Sequence, residues 1–116
     1  RMRVSSPVQE RTVSNLAQET KTQRHADICA ELNDIYHRKN ADYGDSFGET
    51  FRKLGIISAV TRITDKVNRL QSLCVRAAQV PDESVRDTLL DLANYAIMSV
   101  IELERSNQTE TEASTE

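Results

Sequence analysis

Over residues 56–79, Ile56, Val60, Ile63, Val67, Leu70, Cys74 and Ala77 step by alternating fours and threes. That spacing keeps one stripe of a helix apolar along its whole length, which makes a packing seam and does not suit a strand. No window alternates with period two for long enough to form a strand. The pattern therefore predicts an all-α fold.

The remaining helices follow from the same reasoning. One is expected over about 21–39, with Ile28, Cys29, Leu32, Ile35 and Tyr36 on one side, and the run from Asn40 to Asp45 should break it. Ser46 and Glu49 have capping-box spacing, so a short helix should start at Phe47 and carry Phe47, Phe51 and Leu54 on one face. Gly55 is placed to end it in a left-handed cap. Pro81 and Asp82 start a last helix over about 82–105. It is apolar around more than half its circumference, as befits a helix buried on two sides. The expected architecture is a small bundle of three longer helices and one short one.

With 116 residues, 38% of them hydrophobic and no Trp, the chain has material for one modest core. A monomer would be marginal, so completion of the bundle by oligomerisation, as a dimer or higher, is expected. Residues 1–20 read as a flexible N-terminal segment, 21–105 as the folded domain and 106–116 as a disordered acidic tail. A net charge of −3 with interspersed signs argues against duplex nucleic acid and leaves room for a small anionic ligand. Cys29 and Cys74 fall on apolar stripes, where thiols act as small hydrophobes, and no CxxC or His cluster suggests zinc. His25 and His37 are expected at the surface. No apolar run reaches membrane-spanning length and no signal-peptide pattern is present, so a cytoplasmic location is expected.

Candidate chemistry concentrates in two places. Between Thr88 and Ile101 the only charge is Asp91, and Asp87, Asp91 and Asn94 are spaced i, i+4, i+7 along one helix edge. A carboxylate in so apolar a helix needs a cation, a metal or several donors. The seam helix offers Arg62, Asp65 and Arg69 on one face and Lys66 at the seam's border. If the two helices pack antiparallel, Lys66 or Arg69 would meet Asp91, or Asp65, Asp87 and Asp91 would gather around Mg2+, which takes oxygen ligands. The alternative is a solvated, salt-bridged face. The second place is the stretch from Lys39 to Phe51. Tyr43 could stack on a base there, Lys39 could meet a phosphate, and Asp42 and Asp45 could hold donors, while Phe47, Phe51 and Ser46 read as structure. No GxSxG, P-loop or GxGxxG is present, so any chemistry would be metal-assisted hydrolysis of a phosphoanhydride by activated water.

The segments DYGDSF, RITDKVNRL and DTLLDLANYAIM, within a match covering about 25–104, resemble a small phage and prophage family called nucleotide modification associated domain, type one. The resemblance implies nucleotides as ligands. A weaker similarity is to the MazG-type all-α nucleoside triphosphate pyrophosphatases, which gather four acids around magnesium. By that similarity Asp91 stands at one acid position and Asp65 at another, while Thr88 and Asn68 occupy the other two, and Asp87 lies one turn before Asp91. Three functions follow as expectations. One is a magnesium-dependent nucleotide pyrophosphohydrolase with Asp65, Asp87 and Asp91 as catalytic and metal-binding residues. Another is a non-catalytic binder that sequesters a nucleotide, with Lys39, Tyr43, Asp45, Arg62, Lys66, Arg69 and Asn94 around the ligand. The last is a helical oligomeric interaction module.

Overall fold

A computed structural model of the chain describes residues 13–76 and 82–114. They form four helices: α1 (Val13–Tyr43), α2 (Ser46–Leu54), α3 (Ile56–Val75) and α4 (Asp82–Ser114). Ala77 of the expected seam and Pro81 lie outside the described residues, as do positions 1–12 of the expected N-terminal segment. None of the described helices is long and apolar enough to cross a membrane.

Two compact units divide the chain between Asp34 and Ile35. In the first, the described part of α1 is polar on most of its circumference. It carries local ties one turn apart, such as Arg24 to Asp27 at 3.7 Å and the Gln23 amide donating to Asp27 at 2.9 Å. Its His25 is exposed, with Nδ1 3.8 Å from the Cys29 sulfur.

The second unit, from Ile35 onward, contains the end of α1 and all of α2, α3 and α4. α1 does not break at Asn40, because nothing from Asn40 to Tyr43 forbids a helix. Gly44, at φ +70°, stops it and returns its N–H to the Asn40 carbonyl at 2.8 Å. Asp45, not Ser46, caps α2: its carboxylate accepts the Gly48 N–H at 3.3 Å and pairs with Arg52 at 3.5 Å. Asp is as good a cap as Ser, and the Arg52 partner adds an attraction that Ser46 lacks. Gly55, at φ +83°, ends α2 as expected, with its N–H on the Phe51 carbonyl at 2.7 Å. The Gly55 carbonyl then accepts both the N–H and the hydroxyl of Ser58 in the first turn of α3. One glycine thus closes one helix and opens the next.

The core is small. Phe47, Phe51 and Ala59 are buried together, with Tyr95 and Met98 packed against them. α3 meets α4 through three cross-links that descend α3 as they ascend α4: Arg69 to Thr88, Lys66 to Asp91 and Arg62 to Tyr95. The two helices are therefore antiparallel. Contact falls to one side of the expected seam, through Ala59 and Leu73, while Ile56, Val60 and Val67 stay 46%, 43% and 37% exposed. The reason lies in α4, whose facing residues Thr88, Asp91 and Tyr95 are polar and draw the cationic edge of α3 toward them. Cys74 is left exposed on the uncovered flank, and Cys29 is exposed as well, contrary to the expectation that both thiols serve as buried hydrophobes. α4 also runs past 105 to Ser114, because SNQTETEAS contains no Gly or Pro to stop it.

Gly48 marks the tightest point of this packing. A Cβ built there would lie 2.6 Å from both Asp45 carboxylate oxygens and 2.8 Å from a Glu102 oxygen. Arg52 ties the two acids, 3.5 Å from Asp45 and 3.8 Å from the buried Glu102. Gly48→Ala should therefore displace the α2 cap and cost about 1–2 kcal/mol, the usual magnitude of a lost N-cap. Urea unfolding of the variant measures this, and an unchanged midpoint would show that the carboxylates move aside freely.

Candidate functional site

The last turns of α1 carry Lys39, Asn40 and Tyr43 to one wall of a cavity of about 350 Å3. Gly44, Ser46 and Phe47 form its corner, and Arg62 of α3 with Asp91, Asn94, Tyr95 and Met98 of α4 form the opposite wall. The volume lies at the lower end of the range for small-molecule pockets. Tyr36 lines it too, so all three tyrosines of the chain face one cavity.

The electrostatics are those of an anion site. Asp91, with its side chain 29% exposed, has Lys39 Nζ 3.4 Å from Oδ1 and Lys66 Nζ 3.2 Å from Oδ2. The Asp91 carboxylate has the cationic partners its apolar surroundings demand. Arg62 donates to the Tyr95 hydroxyl at 3.4 Å and lies 5.8 Å from that ring's centroid. Two ammonium groups thus meet one carboxylate, and the Arg62 guanidinium beside them in the site lies against the Tyr95 ring. Tyr95 is fixed on its other contact by stacking with Phe47, centroids 5.8 Å apart and planes 20° apart. Tyr43 is 73% exposed at the lip.

The other expected site residues divide clearly. Lys39, Tyr43, Arg62, Asp91 and Asn94 line the cavity, and Lys66 reaches it through Asp91. Arg69 instead donates to the Thr88 hydroxyl at 3.3 Å, while that hydroxyl donates to the Ser84 carbonyl. Asp45 is occupied as a helix cap. Asp65 and Asp87 are exposed, and among the described residues no three His, Cys, Asp or Glu side chains group so as to hold a metal ion. With both Asp91 oxygens facing ammonium groups, the donor set does not fit a carboxylate cage for Mg2+. Tyr36, Asn40 and Tyr95 escaped the sequence reading. Their signal was available for Tyr95, a lone aromatic one turn beyond Asp91.

Residues 39–103 match the family model described as nucleotide modification associated domain 1, more than half of the chain, and the chain belongs to that family. No curated protein and no solved structure matches the chain significantly.

Proposed function

From membership of the nucleotide modification associated domain 1 family, we propose that the cavity binds a phosphorylated nucleotide, with its base against the tyrosines and its phosphate on Lys39 and Arg62. The observation that carries this reading is the convergence of every tyrosine in the chain with a surplus of cations in one cavity. Aromatic faces take a base of any identity, and a guanidinium beside an ammonium matches a phosphate. Asn40 and Asn94 offer amide donors and acceptors for the base edge or ribose. The pairing of Asp91 with Lys39 and Lys66 supports binding over water activation, with the chain acting as a carrier in a modification pathway or as a sponge for a nucleotide signal.

The test is to mix the purified chain with a broad nucleotide pool, with and without EDTA, and to analyse free and bound fractions by mass spectrometry. An unaltered nucleotide enriched in the bound fraction, with EDTA present, is expected. Arg62→Ala should weaken retention roughly tenfold or more, the scale of a hydrogen bond to a charged group. Asp91→Ala should retain the nucleotide and bind it more tightly at low salt, since it removes the only carboxylate among the described residues that line the cavity. Release of monophosphate and pyrophosphate that requires metal and disappears in Asp91→Ala would overturn this reading in favour of the pyrophosphohydrolase.

A further inference from the structure

How many phosphates a site accepts is a matter of charge balance, and the charges of the cavity are few. Among the described residues that line it, Lys39 and Arg62 are cationic and Asp91 is the one anion. Asp91 is not shared equally between its two lysines. Lys66 Nζ lies 3.2 Å from Oδ2 with its side chain 26% exposed, whereas Lys39 Nζ lies 3.4 Å from Oδ1 with its side chain 59% exposed. The closer and less exposed contact is the stronger, because solvent screens exposed ion pairs. Lys66 therefore neutralises Asp91 from α3, while Lys39 keeps a solvated contact from which it can turn to a ligand. Arg62 donates to an uncharged partner, the Tyr95 hydroxyl, and keeps its full charge. Lys39 and Arg62 are thus two positive charges offered to whatever enters.

We propose that the cavity selects a nucleoside monophosphate over longer phosphate chains, and that Asp91 sets this limit. The inference rests on the nucleotide reading above and adds the number of phosphates to it. A phosphate monoester carries close to two negative charges at neutral pH, which balances Lys39 and Arg62. A cyclic phosphate diester carries one and leaves a cation unmatched. Each further phosphate of a di- or triphosphate adds about one more negative charge, and the remaining charged group of the described lining is the Asp91 carboxylate, which repels it. Magnesium, which accompanies longer phosphate chains, takes carboxylate oxygens, and both of those on Asp91 face ammonium groups. A volume of about 350 Å3, at the lower end for small-molecule pockets, also suits the shorter ligand. Asp91 is here a specificity-determining residue: it occupies Lys66 and subtracts one charge from the site.

Calorimetric titration of the full chain in EDTA with adenosine, AMP, cyclic AMP, ADP and ATP, and with thymidine, TMP and TTP, tests the proposal. In whichever base series binds, the monophosphate is expected to bind tightest, about fivefold or more over the triphosphate, the scale of one like-charge contact in water. Cyclic AMP and the free nucleosides should bind more weakly than the monophosphates. Asp91→Asn keeps the shape of the side chain and removes its charge, so the preference for monophosphate over triphosphate should shrink several-fold or invert. Lys66→Met should lower monophosphate affinity although Lys66 reaches the cavity only through Asp91, because the unpaired carboxylate then holds Lys39. A merely structural role for this pair would weaken every ligand alike and leave the ratios unchanged, and that result overturns the proposal. A wild type that prefers the triphosphate, or binds cyclic AMP as tightly as AMP, overturns it as well. Those outcomes leave the nucleotide reading standing, whereas no binding of any member of either series removes that reading and this inference with it.

Discussion

Phe51→Ala is expected to bring the chain to the edge of unfolding at room temperature. Phe51 is 4% exposed and belongs to the core of Phe47 and Ala59 on which Tyr95 and Met98 rest. Truncating a buried aromatic costs about 3–5 kcal/mol, through lost transfer energy and the cavity left behind. Domains of this size have total stabilities of about 5–15 kcal/mol, and one with so few buried apolar residues belongs near the lower bound. The loss should appear as collapse of the helical circular dichroism or a fall in Tm of more than about 10 °C. Phe51→Leu fills most of the space and should cost far less. Equal stability of Phe51→Ala and wild type would mean that the short helix α2 does not anchor the unit. The cavity would be lost with the fold, because Phe47 of the same helix supports Tyr95.

The second large effect concerns binding without stability. Tyr43→Ala should reduce nucleotide affinity roughly 5- to 150-fold, the range corresponding to about 1–3 kcal/mol for one base stacked on one aromatic ring. Tyr43 is 73% exposed in the free chain, so its removal forfeits little packing and the unfolding midpoint should not move. Tyr43→Phe keeps the aromatic face and should retain most of the affinity. Calorimetric titration of the three proteins with the nucleotide recovered from the pool distinguishes the cases. If Tyr43→Ala binds as well as wild type, the base lies deeper, against Tyr36 or Tyr95, and the lip is only a rim. Tyr95→Ala is the informative contrast, since it removes the Phe47 stack and the Arg62 contact together and should lower both stability and affinity.

Local chemistry made the helices legible. The glycine at φ +83° after Leu54, the apolar repeat of α3 and the absence of alternating stretches each act over a few residues, so they can be read along the chain. The need of Asp91 for a cation was legible for the same reason, because a lone carboxylate in an apolar helix must be compensated wherever the helix lies. Choosing the partner required more. Whether Asp91 meets two lysines or two more acids depends on the rotation of α3 against α4, and a one-residue change in that rotation exchanges Lys66 for Asp65. Only the packed pair fixes it, through Ala59 and Leu73 on α3 and the polar inner face of α4.

The cavity belongs wholly to tertiary structure. Tyr36, Tyr43 and Tyr95 are scattered over 60 residues of sequence and carry no shared periodicity. They converge because Gly44 turns the chain at the end of α1 and α2 lays Phe47 against Tyr95. The direction in which α4 faces was likewise beyond sequence reading. Its apolar circumference predicted burial on two sides, and hydrophobicity alone could not tell which side the chain itself would cover. Burial energy is nearly indifferent to the identity of the covering surface, whereas ion pairs and hydrogen bonds require particular partners at particular distances. The polar strip of α4 therefore went inward to Lys39, Lys66, Arg62 and Arg52, while Leu89, Val100 and Leu103 stay exposed.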